Sequence, residues 1–282
     1  MNILDKITAD KRKEVDLRKG LIPKSQLEQS VLFSRQRNSL ANALRESKTG
    51  IIAEHKRRSP SKSVINNTLN VQDVALGYEK CGVTGMSVLT DGKYFGGSLD
   101  DLLTARASAQ FPLLRKEFII DEYQIIEAKA YGADVILLIA AILSRKQIKT
   151  FSELAKSLNL DVLLEIHNLE ELEKSLMPSL DMLGVNNRNL KTFEVNLDTS
   201  KSLAEKIPDD FVKVSESGIG NVEAIKELRT FGYKGFLIGE NFMKTDDPGK
   251  SASEFIKELL SDLQGARLNR NGQVPRGTRG SL

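Results

Sequence analysis

From residue 49 onward the chain repeats one pattern eight times: a short, nearly continuous apolar run followed by a longer amphipathic stretch. The apolar runs span 50–55, 85–90, 112–116, 134–139, 161–166, 182–185, 211–215 and 235–238. Several carry no polar alternation, as expected of parallel strands buried on both faces. The clearest helical stretches between and after them are 71–81, 122–131, 144–158, 169–176, 222–231 and 251–263. Eight strand–helix units in about 215 residues predict an α/β fold, a (β/α)8 TIM barrel, for which ~250 residues is typical. An open doubly wound sheet uses the same alternation but wants a Gly-rich dinucleotide turn, and no G-x-G-x-x-G is present.

The 282 residues leave room for one barrel and an extension, not for a second barrel. In residues 1–47, Ile3, Leu4, Ile7 and positions 11–15 follow a 3.6-residue period. Leu32, Phe33, Leu40, Ala43 and Leu44 suggest another helix, opened by Asn38 or Ser39. The expected organisation is a helical extension over 1–47 packed on a barrel over 48–264. Residues 265–282 are rich in Arg and Gly without periodicity and read as a disordered basic tail. Their VPRG resembles part of a protease site added to recombinant proteins.

Charge and composition narrow the function. Lys and Arg number 41 against 38 Asp and Glu, for +3 and a pI near 8.8. Arg267, Arg270, Arg276 and Arg279 put +4 in the tail, and subtracting this leaves residues 1–264 at −1. With no basic, aromatic-bearing cluster on the body, a nucleic-acid partner is not expected. One cysteine, Cys81, excludes an intrachain disulfide and a Cys-rich zinc site, and two histidines argue against a His-dominated metal centre. No run reaches the ~18–20 apolar residues of a membrane span, and the charged N-terminus lacks a signal peptide's apolar stretch. A cytoplasmic location is expected, with no metal and no membrane partner.

A barrel places its reactive groups at the C-terminal ends of strands, facing inward. Because side chains alternate faces, Glu54 and Lys56 share the inward face above Ile52, and His55 points toward the helices. The same count puts Lys116 with Leu114 and Phe118, and Glu165 with Leu163 and His167. The stretch closing strand 6, Gly184-Val185-Asn186-Asn187-Arg188, brings Asn186, and that closing strand 7, Lys213-Val214-Ser215-Glu216-Ser217-Gly218, brings Glu216. Five strands thus deliver ionisable or amide groups to one rim. Phosphate sites in barrels use the loops after strands 7 and 8, where Ser217-Gly218-Ile219-Gly220 and Gly239-Glu240-Asn241 lie. Ser59-Pro60-Ser61-Lys62 after strand 1 adds hydroxyls and positive charge nearby.

Together these segments resemble indole-3-glycerol-phosphate synthase over about residues 1–262. The carrying motifs are IIAEHKRRSPSKS (51–63), LLRKEFIIDEYQI (113–125), LLEIHNLEEL (163–172), LGVNNRNLKTFEV (183–195), VSESGI (214–219) and FLIGENFM (236–243). The resemblance implies conversion of 1-(2-carboxyphenylamino)-1-deoxyribulose 5-phosphate into indole-3-glycerol phosphate, CO2 and water, in tryptophan biosynthesis and without a cofactor. It implies Lys116 as the acid on the carbonyl oxygen, with Glu54 near enough to hold its ammonium. Lys56 and Arg188 become the cations for the substrate's carboxylate and phosphate. Glu165 fits the base of the dehydration, and Lys56 or Lys116 the acid. Glu216 and Asn186 would orient hydroxyls and the ring nitrogen, assisted by Ser217. Phosphate would lie against Ser59, Gly218, Gly239 and the Glu240 backbone, and the aromatic ring against Pro60, Phe95 and Phe118.

Four positions depart from the resembled pattern. Glu117 stands for an Asp, His55 for an apolar residue and Ser63 for a Gly, while Glu240 puts a charge beside the phosphate, from which it is expected to point away. A monomer acting on a small phosphorylated molecule is expected. Two other readings use the same barrel. A phosphoribosylanthranilate isomerase wants a Cys/Asp pair at strand ends, whereas Cys81 falls at a helix end. A non-enzymatic metabolite-binding barrel would not need Lys116 and Glu165 together.

Overall fold

The computed structural model describes residues 3–190 and 192–271, with side chains described through Leu263. Eight parallel strands close on themselves in sequence order. They are β1 (Ile51–His55), β2 (Gly85–Leu89), β3 (Leu113–Lys116), β4 (Val135–Ile139), β5 (Asp161–Ile166), β6 (Met182–Asn186), β7 (Val212–Glu216) and β8 (Gly235–Ile238). Each matches one predicted apolar run. The expected (β/α)8 barrel is therefore the fold.

The extension holds α1 (Ile3–Leu21), α2 (Lys24–Glu28) and α3 (Leu40–Glu46). Around the barrel run α4 (Val71–Cys81), α5 (Gly92–Phe95), α6 (Leu99–Ser108), α7 (Glu122–Ala130), α8 (Arg145–Ser157), α9 (Leu169–Ser175), α10 (Asp198–Ala204), α11 (Val222–Thr230), α12 (Glu240–Met243) and α13 (Pro248–Asn271). Side chains that cap their own helix start it. Asp121 and Ser144 form capping boxes with Gln124 and Gln147, satisfying amides that a helix end otherwise leaves unpaired. Ser39, one of the two predicted openers, caps α3. The final helix runs past the predicted boundary at 263 to Asn271. The rest of the basic tail, 272–282, lies outside the described residues.

Apolar side chains separate by strand face. Ile52, Leu114, Leu137, Leu163, Met182, Val214 and Leu237 fill the barrel, whereas Ile51, Ala53, Met86, Ile136, Leu164 and Val185 pack against the helices. The extension reaches both ends of this interior. Ile3, Leu4 and Ile7 of α1 border the cavity at the strands' C-terminal ends. Leu40 and Leu44 of α3 are buried with the interior set, against Gly85 and Gly235 at the strand starts.

Two carboxylates at strand starts fasten the lower end. Asp134 is fully buried and accepts the Leu113 and Asn38 amides at 2.9 and 2.7 Å, pairs with Arg106 at 2.9 Å, and also meets Arg35. Asp161 accepts Ser39 Oγ at 2.8 Å and the Ala41 amide at 3.1 Å. Breaking such a buried pair strands the remaining charge and amides without partners. Asp134→Ala is therefore expected to cost about 3–5 kcal/mol in urea unfolding, and a loss below about 1 kcal/mol would contradict this role for Asp134.

Candidate active site

A cavity of about 400 Å³ opens at the C-terminal ends of the strands, and all fifteen predicted site residues line it. Glu54 and Lys56 come from the end of β1, Lys116 from β3, Glu165 from β5, Asn186 from β6 and Glu216 from β7. Ser217, Gly218, Gly239 and Glu240 come from the loops after β7 and β8. Ser59 and Pro60 follow β1, Arg188 follows β6, and Phe95 and Phe118 supply aromatic wall.

The centre is Lys116. Its Nζ lies 3.2 Å from Glu165 Oε2 and forms a close ion pair with Glu216 Oε2. Backbone register brings the two carboxylates together. Glu165 sits beside Gly184 on β6, and Asn186, two residues on, sits beside Glu216 on β7. A Cβ at Gly184 would collide with Glu216 Oε1, so a residue without a side chain gives that carboxylate its room. Gly239 does the same for Glu54, whose Oε1 would meet a Cβ there.

Glu54 pairs with Lys56 at 2.7 Å, and Ser87 Oγ donates to its Oε2 at 3.4 Å. The expectation that Glu54 holds the Lys116 ammonium directly is thus not the arrangement seen. Glu54 acts on Lys116 through charge alone, while Glu165 and Glu216 make the contacts. The reason is proximity: Lys56 shares a strand face with Glu54 two residues away.

Burial and charge split the titrations. Burial opposes charge on Lys116, but Glu216, Glu165 and Glu54 outweigh it and raise its pKa above the ordinary lysine value. Burial also opposes charge on Glu165, yet Lys116, His167 and a hydrogen bond from Asn186 hold its pKa below the ordinary carboxyl value. Glu216 goes the other way: burial, with Glu165 and Glu54 as like charges, pushes it up to about 7 against the pull of Lys116. The site therefore combines a protonated amine, an ionised carboxylate and a carboxyl poised near neutrality, the separation that acid–base chemistry needs.

The loops expected from the sequence to meet phosphate line the mouth. Ser217 and Gly218 are consecutive left-handed residues, φ 68° and 80°. Ser59 closes a small turn with Lys62. Glu240 reaches across to Lys62, Nζ to Oε1 2.8 Å, linking the loops after β1 and β8. His55 faces the helices, as the strand alternation predicts, but its Nε2 has no hydrogen-bond partner among the described residues, and burial pushes its pKa down to about 4. His167 stands 3.5 Å from Glu165 and 3.1 Å from Glu171.

Several supporting residues were not singled out from sequence. The helical period that holds Ile3, Leu4 and Ile7 does not reveal that they border the mouth. Asn187 donates to Ser215 Oγ and to the Glu216 and Ser217 carbonyls, and accepts from Ser200, fixing the backbone that carries Glu216. It lies just past the end of β6, next to Asn186, and its place in the motif carries no sequence signal of this use. Among the described residues no helix is long and apolar enough to cross a membrane, and no cluster of three or more His, Cys, Asp or Glu could hold a metal ion.

The family model for indole-3-glycerol phosphate synthase matches residues 4–255. A protein named indole-3-glycerol phosphate synthase from Bacteroides thetaiotaomicron is 48% identical over 92% of this chain and 99% of its own length. One of the same name from Caldanaerobacter subterraneus is 43% identical over 91% of this chain and 98% of its own length. Among solved structures, the alpha subunit of tryptophan synthase from Legionella pneumophila superposes with a TM-score of 0.58 at 14% identity, covering 81% of this chain and 99% of that one. That likeness is one of fold.

The raised Glu216 carboxyl makes a prediction about stability. Between the ordinary value of 4.5 and about 7, the folded chain keeps a proton that the unfolded chain has released. Stability from this group is full below the unfolded value and is lost as pH rises through the folded one. Glu216→Gln lacks this dependence, so its stability relative to the parent should rise between about pH 5 and about pH 8 in urea titrations. An unchanged gap at the two pH values would contradict the shift.

Proposed function

The chain belongs to the indole-3-glycerol phosphate synthase family, and from that premise we propose how its own side chains divide the work. The reaction closes the pyrrole ring of 1-(2-carboxyphenylamino)-1-deoxyribulose 5-phosphate and releases CO2 and water, a carboxy-lyase step of tryptophan biosynthesis. The observation that carries the assignment of roles is the Lys116 ammonium lying between Glu165 and Glu216 at the floor of the cavity.

Ring closure makes the substrate carbonyl an electrophile, and an acid must meet its oxygen as charge develops there. Lys116 keeps its proton because the carboxylates around it favour the charged form. The ring carbon attacks, the carbonyl oxygen becomes a hydroxyl, and loss of CO2 from the cationic iminium follows. Glu165 and Glu216 stabilise that cation by their position in a water-poor site. Dehydration then takes a proton from the former sugar carbon and expels the hydroxyl. Glu165, held ionised, is the base, and Lys56 or Lys116 protonates the leaving oxygen.

Phosphate binds at Ser59, Gly218, Gly239 and the Glu240 backbone, whose loops converge on the cavity. Arg188 and Lys56 neutralise the two substrate anions. The benzene ring rests on Pro60, Phe95 and Phe118; the last two rings lie 5.9 Å apart in a tilted pair. Asn186 and Ser217 hold the hydroxyls and ring nitrogen. Residues 1–47 serve the barrel as an extension, and we assign the enzyme to the cytoplasm as a monomer.

General acid catalysis by one side chain contributes about 10²–10⁴-fold. Lys116→Ala is expected to lower turnover by at least ~10²-fold, followed by product fluorescence, while binding of inorganic phosphate stays within about twofold of the parent. Turnover near the parent's rate would contradict the role given to Lys116. Retained turnover together with lost phosphate binding would place Lys116 in the phosphate site instead.

A further inference from the structure

Lys11 bears a charge that the reaction above does not use. It is only 2% exposed, on the face of α1 that also carries Ile7 and Val15. Its ammonium lies 2.9 Å from Asp91 Oδ2, 3.1 Å from Glu117 Oε1 and 2.8 Å from Glu14 Oε2. Burial works against that charge, and Glu117 and Asp91 outweigh it. Both belong to the barrel: Asp91 caps α5 after β2, and Glu117 directly follows β3.

Each barrel carboxylate also holds the backbone of an aromatic residue in the cavity wall. Asp91 Oδ1 accepts the Tyr94 and Phe95 amides at 2.6 and 3.3 Å. Glu117 Oε1 accepts the Phe118 amide at 2.8 Å, while its Oε2 accepts Thr90 Oγ1 at 2.8 Å. Phe95 and Phe118 are the tilted pair that lines the cavity. One buried ammonium therefore spans two carboxylates, and each carboxylate fixes the amide of one ring of the pair.

We propose that Lys11 is a positioning residue for the aromatic wall: it sets the spacing of Phe95 and Phe118, and through them the affinity for the substrate's benzene ring, without moving a proton. The inference rests on the ring-closing reaction, which supplies a ligand bearing that ring. The geometry separates it from the chemical centre. The Lys116 side chain alternates to the opposite face from Glu117 and pairs with Glu165 and Glu216, while Lys11 is not among the residues lining the cavity. A residue acting only on substrate binding shows in KM rather than kcat when chemistry is slower than substrate release.

The test compares the parent with Lys11→Met and Lys11→Arg, using anthranilate as the ring probe and inorganic phosphate as the phosphate probe, both titrated by ligand-observed NMR. Lys11→Met is expected to raise KM about tenfold and weaken anthranilate binding by a similar factor. kcat should stay within about threefold and phosphate binding within about twofold, and Lys11→Arg should recover most of the KM. Should Lys11→Met fail to fold, the double variant Lys11→Met/Glu117→Gln removes the ammonium without leaving an extra buried negative charge, and it should show the same selective loss. Equal weakening of both probes would overturn the proposal and mark Lys11 as a general fastener of α1; no change in either would overturn it too. A parent enzyme that fails to turn over would count against the reaction itself, and the two probes would still report on Lys11.

Discussion

An ammonium inside a barrel cannot stand without counter-charge, and the site is organised around that constraint. Lys116 is held by Glu165 and Glu216, which arrive from strands two and four places round the barrel from β3. Such an arrangement needs the barrel to be closed, the strands to be in register and the intervening strand to leave space. Gly184 provides that space, and the register of β5, β6 and β7 provides the alignment. The same cluster explains why two glutamates of similar burial titrate in opposite directions. Glu165 gains from Lys116, His167 and Asn186, whereas burial and like charge dominate at Glu216.

A second ionic centre lies outside the barrel lumen and ties the N-terminal extension to the mouth. Lys11 joins Asp91 and Glu117, and Glu117 also stands 3.7 Å from Arg115. Arg115 pairs with Glu127 at 2.7 Å, and Glu127 pairs with Arg18 of α1 at 2.8 Å. Positive and negative groups thus alternate from one turn of α1 back to another. With Ile3, Leu4 and Ile7 at the cavity edge and Leu40 and Leu44 at the base, the extension contributes to both ends of the barrel interior.

Much of this was legible in sequence because the two periodicities are strong. Apolar runs located all eight strands, and alternation along them put Glu54, Lys56, Lys116, Glu165 and Glu216 on one rim. The misses have physical causes. The predicted strands over 182–185 and 211–215 stop just before Asn186 and Glu216, because an apolar run ends where the inward polar groups begin while the backbone pairing continues. Helices α6 and α10 were not singled out: α6 alternates small, acidic and apolar residues with little sidedness, and its start is marked chiefly by Ser98 as a cap. Pairing between distant residues was the least legible. Lys11 was visible as part of a helical period, but Asp91 and Glu117 come near it only after folding. Glu54 was expected at Lys116, and the closer Lys56 holds it instead.

The central claim is that this constellation closes the indole ring. The most direct measurement follows fluorescence of indole-3-glycerol phosphate and release of CO2 together when the purified chain meets 1-(2-carboxyphenylamino)-1-deoxyribulose 5-phosphate without added metal or cofactor. The expected result is both products appearing in equal amounts at the same rate. A flat trace from folded protein, or CO2 released without the indole product, would contradict it.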